Sequence, residues 1–415
     1  MVEESEKVRK QTRDRVDKEA RSWKRKLDMG RTWDAWPDYE AAESGLKNYW
    51  YPVLWGRKVR KKPVPVKLCD TKLFVMRDAE GKVRALHDRC PHRGVKISLG
   101  KQWWPGTISC PYHGWTFDLK TGEVNAVITD GADSRMCRNA AVRTFPAEER
   151  HGLIWIYLGE GKPHALEDQL PEELARPAKY AYGGRIEVRG GNWRFYTENG
   201  FDEGHAKYLH RTSIWRIMKV MPTWNKIHID RMGRWLFRVE DERFWEADFP
   251  GVGKWTNDRW YKIKPKQKQG RFLGNTGGAK KNNAYIDSRK FPAFASVSMP
   301  GVLRIAYPNF IHYEFYVPVD ANNTRYVGVM FQFKTGLSRF LFYLWYLTGI
   351  RWMFHGDFSG QDHWMVEETD APPERLYRPD VSLTEWRKLF SEPHPLNKDA
   401  LEEGDVQPLR FKESA

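Results

Sequence analysis

Two short stretches of this chain decide how its first half folds. Residues 90–94 read Cys-Pro-His-Arg-Gly and residues 110–115 read Cys-Pro-Tyr-His-Gly-Trp, with 17 residues between the first histidine and the second cysteine. Proline fixes φ and glycine tolerates positive φ, so both stretches are typical of tight loops. Each loop offers one thiol and one imidazole. The pattern therefore predicts one shared site whose side chains are Cys90, His92, Cys110 and His113.

Two cysteines and two histidines hold either a mononuclear zinc ion or a Rieske-type [2Fe–2S] cluster, in which the cysteines bind one iron and the histidines bind the other. Zinc fingers usually supply the cysteines as one close pair and the histidines as another. Here each loop supplies one of each, so each loop can reach both irons. The spacing therefore favours the [2Fe–2S] cluster, with zinc as the alternative.

A cluster of this kind stores an electron and makes no bonds to a substrate, so the chain is either an electron carrier or an enzyme with a second redox centre. Residues 192–210 offer candidates for that centre, namely His205 and His210, preceded by Asp202. Side chains five residues apart diverge on an ideal helix, so the two imidazoles converge only if the helix distorts or ends between them. Two histidines and one carboxylate hold Fe(II) in non-haem oxygenases. Two unrelated helix histidines are the alternative.

The third ligand has to come from elsewhere in the chain. Asp362 is the best candidate, because it lies in an aromatic and largely apolar stretch where an unpaired carboxylate is costly. Asp357 and Glu367 are its rivals. The ordinary role for such a residue is a helix cap or a surface ion pair.

With these motifs, the chain resembles the catalytic α subunits of Rieske non-haem iron ring-hydroxylating oxygenases. The resemblance extends from about residue 45 to 370, and within the family it is greatest to the homotrimeric oxygenases of carbazole-type or oxoquinoline-type heteroaromatics. Besides the second cluster loop, the similar segments are 48–53, 86–94 with the first cluster loop, 192–210, 307–309 and 314–320.

The resemblance implies a role for each candidate residue. Cys90 and Cys110 would bind one cluster iron, and His92 and His113 the other. The ligands of a catalytic Fe(II) would be His205, His210 and Asp362.

Two further residues acquire roles from the resemblance alone. Asp202 would link His205 to a cluster histidine of the neighbouring subunit, so that electrons pass between chains of a cyclic trimer. Asn199 would lie beside the iron, although an ordinary helix-boundary amide is an equal alternative. Phe358 and Phe354 are candidates for the wall of the substrate pocket, with core packing as their alternative role.

The implied fold is α+β. It combines a small all-β Rieske [2Fe–2S] domain with an α/β catalytic domain whose antiparallel sheet is of the START/Bet v 1-like helix-grip type. The expected division is an N-terminal helical extension (1–47), the Rieske domain (48–165), a linker (166–183) and the catalytic domain (184–415).

Hydrophobic periodicity places the elements of the second domain. We expect strands at 184–189, 226–231, 234–240, 296–306, 311–319 and 324–334, and helices near 193–210, 338–354, 358–368 and 383–391. Residues 252–292 are expected to form a surface insertion or a cap over the pocket. The run from Phe340 to Ile350 is apolar or neutral, but its eleven residues are too few to span a bilayer. It predicts a buried helix, with a subunit contact, a substrate entrance and a membrane-surface contact as alternatives.

The net charge of +15 indicates an acidic partner. A nucleic acid is not expected, because the chain contains no recognisable nucleic-acid-binding module. Ferredoxins are commonly acidic, and Arg93, Lys96 and Lys101 lie beside the cluster ligands. The N-terminus lacks the apolar core of a secretory signal, so a cytoplasmic protein is expected, with Cys69 and Cys137 as free thiols.

These observations predict a terminal oxygenase. It would take electrons from a ferredoxin or an NAD(P)H-dependent reductase and use O2 to hydroxylate an aromatic or heteroaromatic substrate, by cis-dihydroxylation or mono-oxygenation. The alternatives are an O- or N-demethylase with the same metals and a Rieske electron carrier without oxygenase chemistry. The identity of the substrate stays open at this point.

Overall fold

The structure is a computed structural model. It describes residues 32–60, 62–131, 133–175, 180–202, 204–205, 209–214, 224–242, 246–249, 253–256, 295–306, 311–333 and 336–394, together with residues 14, 17, 18, 30 and 396. Most of the predicted N-terminal helix, segment 307–309 and most of segment 252–292 lie outside the described residues.

The strands follow the chain in two groups. The first group is β1 (Tyr49–Trp55), β2 (Val64–Leu68), β3 (Thr71–Arg77), β4 (Val83–His87), β5 (Thr107–Ser109), β6 (Trp115–Asp118), β7 (Val124–Val127), β8 (Thr144–Phe145), β9 (Ala147–Arg150) and β10 (Leu153–Leu158). The second group is β11 (Tyr180–Gly190), β12 (Trp224–Met232), β13 (Trp235–Glu242), β14 (Glu246–Phe249), β15 (Gly253–Thr256), β16 (Ala295–Ser298), β17 (Val302–Ala306), β18 (Ile311–Asp320) and β19 (Asn323–Phe333).

The described α-helices are short, with at most ten residues each. They are α1 (Pro37–Ala41), α2 (Leu166–Gln169), α3 (Glu172–Ala175), α4 (Trp193–Phe201), α5 (Gly336–Trp345), α6 (Ser359–Glu367) and α7 (Val381–Lys388). The predicted linker therefore contains two short helices and the first residues of β11.

The first ten strands form three small antiparallel sheets, in the orders β1-β10-β9, β2-β3-β4-β8 and β5-β6-β7. Strand β10 is apolar and buried along its whole length, as expected for a strand covered on both faces. The two cluster loops leave β4 and β5 and lie over a small separate core that includes Phe74, Leu86, Ile108 and Phe117.

The catalytic half is built on one antiparallel sheet of seven strands, in the order β11-β19-β18-β17-β16-β13-β12. A long helix packs against this sheet. It begins as α5, continues through the π-helical segments Tyr346–Ile350 and Met353–Phe358, and ends as α6. Small antiparallel sheets followed by a large sheet with a helix against it confirm the predicted α+β fold.

The two halves share one core. The edge of the Trp155 ring packs on Phe315 at 5.4 Å between centroids, and one continuous cluster of buried apolar side chains extends from β1 and β10 to the large sheet. The β2–β3 turn also joins them, because the N–H groups of Cys69 and Asp70 donate to Pro318 (3.0 Å) and Val319 (2.9 Å). The domain that carries the cluster loops is thus packed against the catalytic half of the same chain.

The extent of the predicted elements is wrong at three places in the chain. The single strand expected over residues 296–306 is two strands, β16 and β17, because a turn at Pro300 and Gly301 separates them; Gly301 has a φ of +80°. The helix expected over 193–210 ends at Phe201. In the other direction, the helices expected near 338–354 and 358–368 are one continuous helical run.

Candidate functional site

The first cluster loop is closed by two backbone hydrogen bonds. The N–H of Cys90 donates to the carbonyl of Val95 (2.9 Å), and the carbonyl of Cys90 accepts from the N–H of Gly94 (2.8 Å). Gly94 has a φ of +76°, which a residue with a side chain adopts only at a cost. The glycine of the motif is therefore required by the turn itself.

The second loop repeats this turn. The N–H of Cys110 donates to Trp115 (2.8 Å), the carbonyl of Cys110 accepts from Gly114 (3.1 Å), and Gly114 has a φ of +66°. The sequence repeat of cysteine, proline and glycine is thus a structural repeat. It presents one cysteine from each loop toward the small core.

The thiols and the imidazoles lie at different depths. Cys90 and Cys110 are buried, whereas His92 is exposed and its ring lies 4.6 Å from that of His113 between centroids. Burial, together with the neighbouring Cys110, raises the pKa of the Cys90 thiol to about 11. His92 stacks on Trp115 with the planes 5° apart, which fixes its orientation.

The arrangement of these four residues also separates the two metal hypotheses. A mononuclear zinc ion gathers its ligand atoms around a single point. Here Cys90 and Cys110 are neighbours in the small core, whereas His92 and His113 form a second pair, with ring centroids 4.6 Å apart. Paired cysteines below and paired histidines above are what a binuclear cluster with one pair on each iron requires.

The second site begins where α4 ends. Asn192 caps the start of this helix, since its side-chain oxygen accepts from the N–H of Arg194 (3.0 Å). At the other end Asp202 has an extended backbone, and its carboxylate accepts hydrogen bonds from the N–H groups of Gly204 (2.7 Å) and His205 (2.9 Å). The chain therefore leaves the helix before the first histidine, and the two imidazoles are free to converge.

His205, His210 and Asp362 come together at one point. Their ligand atoms lie within 4.8 Å of one another. Oδ1 of Asp362 is 3.4 Å from Nε2 of His205 and 3.2 Å from Nε2 of His210. Asp362 is on α6, and His210 is in the 3-10 turn Leu209–Thr212. Two segments far apart in sequence thus supply two imidazoles and one carboxylate, the donor set of a non-haem iron site.

Neighbouring side chains orient both imidazoles. Nδ1 of His205 is 3.3 Å from Oδ2 of Asp202, and Nδ1 of His210 is 3.1 Å from Oε1 of Gln361. In each ring a neighbouring polar side chain faces Nδ1, and the Nε2 atom lies toward Asp362. This is the usual arrangement for histidines that bind a metal.

The chemistry of this site fits a bound cation. Nε2 of His210 and Oδ1 of Asp362 are buried and have no hydrogen-bond partner, although buried polar atoms nearly always have one. Burial alone would lower the pKa of His205, but the carboxylates of Asp202 and Asp362 raise it to about 10. Burial would raise the pKa of Asp362, but the two histidines hold it well below its usual value. A divalent ion satisfies the unpaired atoms and the negative charge together.

The remaining candidate residues surround this centre. The ring of Phe358 stacks on His210 with centroids 3.7 Å apart, so it forms an apolar wall directly against one imidazole. Phe354 is buried one turn earlier, with its ring 5.5 Å from that of His312. Asn199 lies half-buried in the last turn of α4.

Sequence reasoning missed two residues that shape the site. Gln361 holds His210, and Asp357 holds Gln361 through a 3.4 Å contact while its other oxygen accepts from the N–H of Ile214 (2.9 Å). Asp357 was a rival for the third ligand, and the structure places it in this supporting role instead. The signal available was the spacing, because residues four apart on a helix are neighbours.

Comparison with known families divides the chain at the same place as the structure. The Rieske [2Fe–2S] domain family matches residues 49–146. The homotrimeric ring hydroxylase family matches residues 157–223 and 272–395.

Individual relatives match across most of the chain. The terminal oxygenase component of carbazole 1,9a-dioxygenase from Sphingomonas sp is 30% identical over 378 residues, which cover 86% of this chain and 94% of the relative. The solved terminal oxygenase from Novosphingobium sp. KA1 superposes with a TM-score of 0.71 at 26% identity, covering 87% of this chain and 96% of that one. A carbazole-bound oxygenase variant in its ferredoxin complex gives a TM-score of 0.69 at 25% identity, covering 85% and 91%.

Proposed function

The chain belongs to the homotrimeric ring hydroxylases, a family of Rieske-type oxygenases, and from that premise we propose that its substrate is a polycyclic heteroaromatic of the carbazole class. It is an oxidoreductase, the terminal oxygenase component of a ring-hydroxylating system, with a Rieske [2Fe–2S] cluster and a mononuclear iron as cofactors and O2 as cosubstrate. The substrate class is supported by relatives that match nearly the whole chain and are named for carbazole.

One observation carries the proposal that the second centre is catalytic. His205, His210 and Asp362 bring their ligand atoms within 4.8 Å of one another, and two of these atoms are buried without a partner. We assign the mononuclear iron to these three residues. The cluster is assigned to Cys90 and Cys110 on one iron, with His92 and His113 on the other.

The side chains around the centre have separate tasks in this proposal. Asp202 and Gln361 fix the tautomers of the two imidazoles, which leaves each Nε2 free as a ligand. Phe358 covers one face of His210 and keeps water away from that side. When bound, the iron supplies the coordination positions at which dioxygen is activated, and the protein supplies position, orientation and dryness. Asn199 is proposed to lie beside the reacting atoms.

The proposed electron path crosses between subunits. Asp202 is half-buried, and His92 and His113 reach the surface of the first domain. In a cyclic trimer one face of each chain meets a different face of the next, so the histidine side of one chain faces the Asp202 side of its neighbour. The proposed division is an extension (1–47), a Rieske domain (48–165), a linker (166–183) and a catalytic domain (184–415).

The proposed electron donor is a ferredoxin, itself reduced by an NAD(P)H-dependent reductase. A solved relative is in complex with its ferredoxin, and this chain carries a net charge of +15, which attracts an acidic protein. Arg93, Lys96 and Lys101 are exposed close to the cluster loops and are proposed to guide the donor. In the part of the chain that the structure describes, no helix is both long and apolar enough to cross a bilayer. We propose a cytoplasmic location.

Iron content and oxygen uptake test the proposal together. The wild-type protein should hold three irons per chain, and with a surrogate ferredoxin and reductase it should consume O2 in response to some members of a panel of heteroaromatic compounds. Asp362→Ala should hold two irons, keep the visible absorption of the cluster and lose substrate-dependent uptake. A wild-type chain with only two irons would indicate an electron carrier. Release of formaldehyde from methoxy or N-methyl members of the panel, without ring hydroxylation, would indicate a demethylase.

A further inference from the structure

The long helix of the catalytic half exposes a row of large apolar side chains. We call residues 336–352 the outer helix; it comprises α5, the π-helical segment Tyr346–Ile350 and the two residues after it. Leu337 is 74% exposed, Phe340 63% and Leu347 62%. The other exposed apolar side chains of the outer helix are Leu341, Leu344 and Trp352.

The opposite face of the same helix already forms its contact with the protein. Phe342, Tyr346 and Ile350 are buried, and the Tyr346 ring lies so close to Gly183 of β11 that a Cβ added there would approach it to 2.5 Å. An ordinary surface helix is polar on its outer face. The outer helix is apolar on both faces, and a contiguous exposed apolar face marks a surface that something else covers.

The charged residues of this helix and of the sequence next to it are all basic. The sequence contains no aspartate or glutamate between Asp320 and Asp357, whereas it contains arginine at 325, 339 and 351 and lysine at 334. Arg339 and Arg351 are exposed on the outer helix itself. An apolar face with arginines beside it and a tryptophan at its end is the pattern of a helix that lies in the headgroup region of an anionic bilayer.

A neighbouring subunit is a weaker candidate for covering the outer helix. In the proposed trimer the neighbour's histidines dock on the Asp202 side, beside Asp362. Along the helix, Leu347 and Asp362 are 15 residues apart, roughly 22 Å at the usual rise. In a cyclic trimer every pair of neighbouring chains forms the same interface. This interface brings the cluster loops of one chain to the Asp202 side of the next, so the end of the outer helix that is far from Asp362 lies outside the interface.

We propose that the outer helix binds the surface of an anionic lipid bilayer. Its leucine, phenylalanine and tryptophan side chains enter the headgroup boundary, and Arg339 and Arg351 pair with lipid phosphates. The protein is then attached to the membrane surface without spanning the bilayer.

If the substrate is a polycyclic heteroaromatic, as proposed above, membrane attachment also affects how the substrate reaches the site. The outer helix continues without interruption into Phe358 and Asp362. Polycyclic aromatics partition strongly into lipid. An oxygenase held on the bilayer by this helix takes such a substrate from the lipid side, at the end of the element that carries its metal ligand.

Co-sedimentation of the metal-loaded protein with vesicles tests the binding. One set of vesicles is pure phosphatidylcholine, and the other contains phosphatidylglycerol. The wild-type protein should sediment with the anionic vesicles, and less so as salt is raised. Leu344→Glu and Leu347→Glu together should weaken that binding by about tenfold or more. Arg339→Gln with Arg351→Gln should abolish the preference for anionic vesicles.

Val188→Glu is the matched control. Val188 is 56% exposed in β11, outside the outer helix, and its substitution should leave vesicle binding unchanged. The visible absorption of the cluster and oxygen uptake with a water-soluble substrate should be unchanged in every variant, because no substituted residue touches either metal site. If the wild-type protein lacks the cluster absorption or the oxygen uptake, the proposed function is wrong, whatever the result of the vesicle experiment.

Two results would overturn the proposal. The first is a wild-type protein that does not sediment with either kind of vesicle. The second is a Leu344→Glu/Leu347→Glu protein whose mass by light scattering falls from that of a trimer to that of a single chain, because the outer helix would then be a subunit contact.

Discussion

The imidazole of His210 and the side-chain amide of Gln361 lie 3.1 Å apart, Nδ1 to Oε1, on the edge of the ring that faces away from Asp362. Because an amide oxygen only accepts, this contact places the ring proton on Nδ1 and leaves Nε2 as the ligand atom. Gln361 precedes Asp362 directly in the chain. One turn of α6 therefore supplies a proposed metal ligand, Asp362, and the residue that orients His210.

Replacing Gln361 should weaken the metal site without unfolding it. Gln361→Ala removes the acceptor for Nδ1 of His210, and losing such a supporting contact costs about 10- to 100-fold in metal affinity. Titration of the iron-depleted protein with Fe(II) measures the affinity directly. His363→Ala is the control, because His363 lies on the same helix and contacts Glu367 at 3.1 Å instead. Equal losses in the two variants would assign the effect to the helix and not to the contact with His210.

Asp202→Asn should separate metal binding from turnover. The asparagine oxygen still accepts one backbone N–H bond at the end of α4, so the loop that carries His205 should hold its shape. The anionic link to His205, 3.3 Å from its Nδ1, is lost. We expect three irons per chain and a rate of cluster reoxidation by O2, with substrate present, that is lower by about 10- to 100-fold. Glu367→Gln should reoxidise at the wild-type rate. If Asp202→Asn loses iron to the same extent as it loses activity, Asp202 is needed for metal binding and not for electron transfer.

Cys110→Ser should remove the cluster and leave the other metal in place. The visible absorption should disappear, and iron should fall to one per chain, because a serine hydroxyl is a poor ligand for this centre. Cys137→Ser is the matched control, since Cys137 is a half-buried free thiol outside both sites. A colourless Cys137→Ser protein would contradict the assignment of the cluster to the two loops.

Local sequence patterns predicted the parts of the site that depend on short-range geometry. The two cluster loops were readable because a glycine at positive φ closes each turn. The end of α4 was not, because it depends on the Asp202 carboxylate accepting hydrogen bonds from the two N–H groups that follow. The turn between β16 and β17 was predictable, because the Pro-Gly pair at 300–301 is typical of turns. The prediction of a single strand gave more weight to the apolar pattern of residues 296–306.

The contacts between distant residues were beyond any pattern. His210 and Gln361 are 151 positions apart, and nothing in either neighbourhood indicates that the two meet. The ligand triad itself was predicted with the help of a family resemblance. Residue types alone left Asp357 as a rival of Asp362 and Glu367 as a weaker one, and the register of the long helix brings Asp362 to the two histidines.

His355 should make the folded protein sensitive to acid. It is buried against Tyr326, whose hydroxyl lies 3.2 Å from Nδ1. Burial and the cationic neighbours hold the pKa of His355 well below its usual value. Other titratable or charged groups that bear on it are His312, Tyr346, Arg185, Arg189 and Arg351.

The folded protein therefore keeps His355 neutral, while the unfolded chain protonates it below about pH 6.5. The free energy of unfolding is therefore not reduced by His355 above that pH. Below it, the free energy of unfolding falls by up to about 1.4 kcal/mol per pH unit. His355→Gln keeps a polar partner for Tyr326 without the titration, so its melting temperature should depend less on pH between about 4.5 and 6.5. Parallel curves for the two proteins would mean that another group governs the acid response.

A buried ion pair joins α7 to α4, the helix that directly precedes Asp202. Nε of Arg387 donates to Glu198 (2.7 Å), and Nη2 donates to Glu198 (3.1 Å) and to Glu374 (3.0 Å). Arg387 is 1% exposed, and burial raises the pKa of Glu198 although Arg387 opposes this. Removing the arginine leaves a buried carboxylate without its cation.

Arg387→Met should therefore lower the free energy of unfolding by about 3–5 kcal/mol, the usual cost of breaking a buried pair from one side. Arg231 provides the matched comparison, because it forms two hydrogen bonds with Glu392 (2.6 and 2.5 Å) on the surface. Arg231→Met should cost about 1 kcal/mol or less, since solvent screens an exposed pair. Urea denaturation of the metal-loaded proteins, followed by far-UV circular dichroism, measures both. Equal losses would show that the pair with Glu198 is no more important than a surface contact. A loss confined to Arg387→Met, accompanied by weaker iron binding, would show that this pair also holds α4 in the position from which Asp202 reaches His205.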